Sequence, residues 1–590
     1  MGKEYKTTEE ILTTGEEKGF IGIKDGKIEY KASGKKYKFP APEEKVRARV
    51  YVELIEKYKY PKKRIDTEIY PPRREPKLPA DIVVYEDDEN DKVFIVVETK
   101  ATSSKNDVEV GIREGLGNAN LLNSKYLFVV CGEEEMAYEV KNRPMLKNLE
   151  KYRISQIPIA YGELPKYRYK KGGGEFFDLN KANFNELKNR FQHCHNEIWE
   201  GGKRDPAESF DEMSKLMFSK IYDERFTKNG EYYKFQIGSK EEVHKIAERV
   251  RDRYKEAQSK ERGVFTGDLK VPDSVIYRVV GILQDISLMK TDLDAKGRAF
   301  EHFLGEIFRG RLGQYFTRRE IVEFMVSMLD PTEDDLLIDP ACGSGGFLLY
   351  SLKTVREKIK KSYEGDERSI NRIDYDFSHK QIFGIEINDR IARVAMMDMV
   401  IHDDGHSNIE RNDALGDYKN FNPVRDIKPN KYTLLLTNPP FGAVVKNEKI
   451  LEIFELGSKI RKRNAQKTEI LYIERCLDLL RPGGRMGIVL PDGILTNSSL
   501  QYVRDFIEKK AKILAVVSLP QGAFVPSGSG VKASLLFLRK KKEEEKLGDY
   551  PIFMAIAEHI GYDATGRPDK NDFPKILEDW KRVKEGIKNE

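Results

Sequence analysis

Through the second half of the chain, short apolar runs alternate with segments of helical period. The runs are "LLIDP", "IFGIEIN", "YTLLLTNPP", "RMGIVLP", "ILAVVSLP" and "ASLLFL". Strands that alternate with helices predict a mostly parallel sheet wrapped on both faces, an α/β class. Upstream, "FDEMSKLMFSKIYDE" and "GRAFEHFLGEIFRGRL" place apolar residues at three- and four-residue steps and predict helices. The first part of the chain mixes a helix, short strands and turns, and closes near the glycines of "KKGGGEFF". The charge run "RKKKEEEK" marks an exit from the last strand-rich stretch. The expected organisation is therefore four segments: 1–180, 181–310, 311–545 and a tail, 546–590. No internal repeat is visible.

In the first segment "PADIVVYEDDENDKVFIVVETKA" reads as two strands joined by a polar turn. If Tyr85 pairs with Val93, Asp81 falls opposite Val97, beside Glu98; a slip of one residue would change its neighbours. Glu98 and Lys100 are two apart and share a face. Two carboxylates and a lysine on one patch can hold Mg²⁺ and activate water for attack on a phosphodiester. The bland alternative is a hairpin with solvated ends.

Composition narrows the field. Of the residues, 39% are hydrophobic and 34% charged, and the net charge of +5 over 590 residues is too small to indicate nucleic acid by itself. The four cysteines, Cys131, Cys194, Cys342 and Cys476, form no CxxC pair, which argues against a disulfide scaffold and a structural zinc. "HCH" at 193–195 has no distant partner and reads as helix content. No apolar run approaches a membrane span and "MGKEYKTTEE" is no signal peptide, so the expected location is cytoplasmic.

"LLIDPACGSGGFLLYSL" is a strand, a Gly-rich turn and an amphipathic helix. Gly343, Gly345 and Gly346 allow a sharp turn and close approach of a ligand, and Asp339 ends the strand where open α/β sheets bind ligands. The next strand ends near Glu386, placed to accept two ribose hydroxyls. "ERNDAL" brings Asn412 and Asp413, able to bond an adenine edge. Nothing matches GxGxxG, so a nucleoside cofactor fits better than a dinucleotide. "YTLLLTNPPFG" then poses a puzzle: a buried strand ending in an amide, two prolines and an aromatic.

"DPACGSGGF" with "TNPPFG" resembles the amino-methyltransferases that use S-adenosylmethionine. "GQYFTRREIV", upstream of both, looks like their cofactor-carboxylate segment, the motif order of gamma-class DNA adenine methylases. From about residue 200 onward the chain resembles the modification subunit of type I restriction–modification systems. Such a chain has a Rossmann-like methyltransferase sheet preceded by a helical domain. The resemblance implies that Asn438 and Pro439 accept hydrogen bonds from the exocyclic amine of a flipped adenine. Pro440 would stiffen that loop, and Phe441 would stack on the base. It assigns Gln314, Tyr315, Phe316, Thr317, Asp339, Gly343, Ser344, Gly345, Glu386, Asn412 and Asp413 to the cofactor. One departure stands out: the family usually has Thr-Pro where this chain has Thr317-Arg318.

The amino-terminal spacing resembles the PD-(D/E)xK nucleases, and "PEEKVRARVYVEL" resembles a helix of the type I restriction subunit. A Mg²⁺ site would then comprise Asp81, Glu98 and Glu44 with Lys100. Glu114 stands where that family often has a Gln, so two readings stay open, an endonuclease or a DNA-binding module without cleavage. Too little chain follows the sheet for a target-recognition domain, and no GxxxxGK[ST] is present. The implied partners are double-stranded DNA, a separate specificity subunit and a second copy of the chain, two modification subunits sharing one specificity subunit, with no membrane. An RNA or protein N-methyltransferase is the rival activity.

Overall fold

The computed structural model describes residues 7–588 except 73, 200–205, 261–266, 308–316, 403–407 and 460–463. Its contacts divide the chain into two compact units. The first comprises Met1–Ile198, Ser219–Ala257 and Asp268–Asp292; the second comprises Trp199–Phe218, Gln258–Gly267 and Leu293–Glu590. Residues 181–310 are thus shared between the units. Among the described residues no helix is long and apolar enough to cross a membrane.

The first unit is built on a six-stranded sheet. Its strands run in sequence order: β1 (Ile65–Ile69), β2 (Ala80–Tyr85), β3 (Val93–Lys100), β4 (Tyr126–Cys131), β5 (Glu134–Glu139) and β6 (Arg153–Ile154). Only β3 and β4 are parallel, because a helix, α2 (Lys105–Leu121), joins them. The period-two alternation sorts the side chains. Ile82, Val84, Ile95, Val97, Phe128 and Val130 share a core with Val50, Tyr51 and Leu54 of α1 (Pro42–Glu56). Val83, Val96, Leu127 and Val129 instead meet Leu116 and Ala119 of α2. Gly111 and Gly115, one helical turn apart, let α2 lie close to the sheet. A Cβ at Gly115 would stand 2.8 Å from Leu127 Cδ1 and 3.1 Å from Glu98 Cβ.

Tyr85 does pair with Val93, but Val84 pairs with Ile95, so Phe94 is an extra residue in β3. This β-bulge corrects the expected register by one position. Ile82 meets Val97, and Asp81 therefore lies alongside Glu98 rather than opposite Val97. Without the bulge Asp81 would share a face with Val97, on the far side of the sheet from Glu98.

The second unit holds an eight-stranded sheet. Its strands are β7 (Leu337–Asp339), β8 (Ile382–Glu386), β9 (Asn408–Arg411), β10 (Tyr432–Thr437), β11 (Leu480–Pro491), β12 (Ala511–Ser518), β13 (Ala533–Lys540) and β14 (Phe553–Ile556). The spatial order is β9-β8-β7-β10-β11-β13-β12-β14. The first five strands are parallel, β13 is antiparallel to both of its neighbours, and β14 pairs parallel with β12. The helices here include α3 (Arg319–Leu329), α4 (Gly346–Ser362), α5 (Asp389–Ile401), α6 (Thr468–Leu479), α7 (Gln501–Lys510) and α8 (Phe573–Lys588). Residues beyond 545 thus complete this sheet and pack on its helices. Phe573 stacks on Phe324 with ring centroids 4.2 Å apart, and Trp580 Nε1 donates to the Met328 carbonyl at 3.0 Å.

Candidate functional site

After β9 the chain crosses to the other side of β7 to form β10. The strand order reverses there, and open α/β sheets bind ligands outside the carboxyl ends of such strands. Four neighbouring strands end in polar groups at this edge: β7 in Asp339, β8 in Glu386, β9 in the Asn412–Asp413 turn, and β10 in Asn438.

The Gly-rich turn is shaped by its own backbone. Gly343 and Gly345 have φ of +53° and +89°, the left-handed region that a side chain would strain. Gly343 N–H donates to Glu386 Oε2 at 3.1 Å, and Asn388 N–H to Glu386 Oε1 at 2.8 Å. Ser344 lies between the two glycines, half-buried. Asp339 Oδ1 accepts from the Ala341 amide at 3.0 Å, whereas its Oδ2 is buried without a close hydrogen bond among the described residues, the Thr437 hydroxyl being near enough to oppose part of the burial cost. Burial pushes the Asp339 carboxyl up to about 7 and raises Glu386 as well.

The Asn412–Asp413 turn is engaged with itself. Asn412 Nδ2 donates to the Asn420 carbonyl at 2.7 Å, its Oδ1 accepts from the Asp413 amide, and Asp413 Oδ1 caps the Leu415 amide. Both ends of the Asn412 side chain are thus used within the loop.

At the end of β10, Asn438 Nδ2 donates to Thr317 Oγ1 at 3.0 Å, while its Oδ1 is buried and unpartnered among the described residues. Pro439 is buried, Pro440 is exposed, and Phe441 is half-buried, meeting Phe524 edge-on at 6.0 Å. The loop is tied down from α6. Thr468 Oγ1 donates to the Pro440 carbonyl at 3.0 Å, and Glu469 Oε2 accepts from Gly442 N–H at 3.2 Å.

Gln314, Tyr315 and Phe316 lie outside the described residues. Thr317 is described, and so is the Arg318 that replaces the usual proline. Arg318 has φ −59° and ψ 141°, a backbone that a proline, with φ fixed near about −65°, would also fit. Its guanidinium lies 4.3 Å over the Tyr562 ring, with Nη2 3.2 Å from Glu320 Oε1.

Sequence reasoning passes over α6, which reads as an ordinary amphipathic helix. Its Arg475, 0% exposed, donates to the Leu415 and Gly416 carbonyls at 3.3 and 2.7 Å. The guanidinium lies 4.3 Å from the Tyr418 ring and 4.9 Å from Phe454. The buried Tyr472 hydroxyl is raised by desolvation and then by the charges of Asp413, Glu386 and Asp339. The available signal is polar residues at core positions: Tyr472 and Arg475, three apart, sit inside an apolar stripe.

The turn, the acids and an unmet buried carboxylate oxygen fit S-adenosylmethionine, which brings ribose hydroxyls and a sulfonium cation. Sheet order and site together define the Rossmann-like S-adenosylmethionine-dependent methyltransferases. Residues 291–586 match the family N-6 DNA Methylase, and the chain belongs to it. Residues 42–158 match the Type I restriction enzyme R protein N terminus. The type I restriction enzyme EcoEI methylase subunit of Escherichia coli is 24% identical over 279 residues, 46% of this chain and 53% of its own. The EcoKI methylase subunit of Escherichia coli K12 is 26% identical over 263 residues, 42% of this chain and 46% of its own. The chain thus spans about half the length of the curated relatives it matches. A crystal structure described as the modification subunit of a type I restriction enzyme from Vibrio vulnificus YJ016 superposes with TM-score 0.50 at 16% identity. It covers 69% of this chain and 91% of that one, a likeness of fold.

In the first unit, Asp81, Glu98 and Lys100 do come together. Asp81 Oδ2 accepts from Thr99 N–H and Oγ1 at 2.7 and 2.8 Å. Burial, and then the charge of Asp81, pushes Glu98 up to about 8. Lys100 Nζ is held by Glu114 at 2.9 Å, Glu98 at 3.1 Å and Glu43 at 3.3 Å. The second Glu98 oxygen accepts from Asn118 Nδ2 at 3.3 Å. Glu44, expected as a third acid, is instead ion-paired with Arg47 and accepts from the Tyr30 hydroxyl at 2.5 Å. Among the described residues no group of three or more His, Cys, Asp or Glu gathers to hold a metal. Asp81 and Glu98 are committed to Thr99, Arg47, Lys100 and Asn118, so their oxygens face protein donors rather than a Mg²⁺.

Proposed function

We propose that the chain is the S-adenosylmethionine-dependent, adenine-N6-specific DNA methyltransferase subunit of a restriction–modification system. It would act with a separate specificity subunit that selects the adenine, and with a second copy of itself on that same subunit. The observation that carries this reading is the Asn438 amide at the switch point. Its Oδ1 is buried without a donor among the described residues, beside a Gly-rich turn made for a nucleoside.

When bound, the cofactor supplies an electrophilic methyl group on sulfonium. Glu386 and Asp339 would hold its ribose and cationic portion, and Gly343, Ser344 and Gly345 its close approach. Asn438 Oδ1 and the Pro439 carbonyl would accept the two N–H groups of the adenine amine and aim its nitrogen lone pair at the methyl. Phe441, braced edge-on by Phe524, would stack on the extruded base. The nitrogen gains a methyl and sheds a proton to solvent, and no side chain becomes covalently attached. The test supplies labelled S-adenosylmethionine and mixed DNA to the chain with its specificity partner, then separates the nucleosides. Label in N6-methyladenine that is lost in Asn438→Ala supports the reading. No label in DNA with the cofactor bound, but label in RNA or protein when these are supplied instead, would replace it with the rival.

For the amino-terminal unit the better-supported reading is a nuclease-fold DNA-binding module rather than an endonuclease, because Lys100 and Glu98 saturate one another and their neighbours. Mg²⁺-dependent cleavage by the assembled complex that disappears in Asp81→Ala would reinstate the cutting enzyme.

A further inference from the structure

The Asn438 amide has two chemically different ends, and only one is useful to an amino acceptor. With Oδ1 facing the amine, acceptor meets donor; with Nδ2 facing it, donor meets donor. Among the described residues the one side-chain bond to this amide is Nδ2 to Thr317 Oγ1, at 3.0 Å between residues 121 positions apart. Thr317 in turn sits on a fixed piece of backbone. The next residue, Arg318, is the N-cap of α3 and is braced against Tyr562 and Glu320.

We propose that Thr317 is a positioning residue for the acceptor amine. By accepting from Nδ2, its hydroxyl keeps Oδ1 turned toward the base. The proposal rests on the methylase reading above and moves Thr317 from the cofactor group to the acceptor group. Valine has nearly the shape of threonine but offers no acceptor. In Thr317→Val an Nδ2 left against methyl groups would be unpaired and costly. Nothing would then fix the amide, and the orientation that presents NH₂ to the amine would compete with the productive one. Serine keeps the hydroxyl and therefore the orientation.

The experiment uses the full chain with its specificity partner and DNA. It compares wild type, Thr317→Ser and Thr317→Val in kcat and KM for labelled S-adenosylmethionine. Equilibrium dialysis without DNA gives the cofactor Kd and reports that each variant is folded. Thr317→Val is expected to lower kcat about ten- to a hundredfold. Its cofactor Kd should stay within about twofold, and Thr317→Ser should remain within about threefold of wild type in kcat. A raised Kd with unchanged kcat at saturating cofactor would overturn the proposal by making Thr317 a cofactor ligand. Wild-type kinetics in Thr317→Val would overturn it outright. Failure of the wild type itself to yield N6-methyladenine while binding cofactor is a separate result, which removes the methylase reading and this proposal with it.

Discussion

Asp339→Asn should make the protein more stable and a poorer binder of its cofactor. Burial raises the Asp339 carboxyl from an ordinary 3.8 to about 7. Between those values the folded state holds a proton that the unfolded state has lost, so stability falls as pH rises through the window. Roughly three pH units at about 1.4 kcal/mol each make the ionised carboxylate cost about 4 kcal/mol above pH 7. Asparagine keeps the acceptor that Ala341 N–H uses but puts an NH₂ where Oδ2 has no close partner, a loss of about 1–3 kcal/mol. The variant should therefore gain about 1–3 kcal/mol at pH 8, lose about 1–3 kcal/mol at pH 4 where the native carboxyl is already neutral, and show a flatter pH profile. Urea unfolding followed by tryptophan fluorescence reads this directly, since the two tryptophans, Trp199 and Trp580, both belong to the second unit. Cofactor affinity should move the other way, by about ten- to a hundredfold, because a cationic ligand loses its counter-charge. An Asn variant less stable than wild type at pH 8, with an unchanged pH slope, would refute the claim that this carboxylate is held ionised at a cost.

Arg475→Met should weaken cofactor binding by about tenfold while changing stability by less than about 2 kcal/mol. It frees the Leu415–Gly416 carbonyls but also removes a costly buried charge; equilibrium dialysis beside urea unfolding separates the two effects. Gly115→Leu should destabilise the first unit by about 1–3 kcal/mol, seen as faster proteolysis of β3 and β4, because its Cβ would already clash with Leu127. Trp580→Ala should cost the second unit about 3–5 kcal/mol, read by circular dichroism, through loss of a buried ring and its bond to Met328.

The alternation of apolar runs and helices makes the second unit's sheet legible, and the strand ends bring Asp339, Glu386 and Asn438 to one edge as expected. Other features are not readable. A β-bulge leaves no mark in a run such as "VFIVV", so the pattern alone misplaces Asp81 by one position. Arg475 looks like a helix-surface charge, because sequence cannot tell a guanidinium sandwiched between Tyr418 and Phe454 from one in water. Arg318 reads only as a departure from the family's Thr-Pro, because its ring partner, Tyr562, lies far along the chain. Each of these features depends on contacts between distant positions, and local pattern does not report those.

The bond from Trp580 to Met328 spans 252 positions and secures α3, whose N-cap is the residue after Thr317. At ribosomal speeds of about 5–20 residues per second, that separation corresponds to roughly 10–50 s of synthesis. Throughout this interval the nascent chain carries α3 without the tryptophan that will cover it. Asn438 leaves the ribosome before that cover exists, so the amide and the helix beside its Thr317 partner are made well before the last contact that holds that helix.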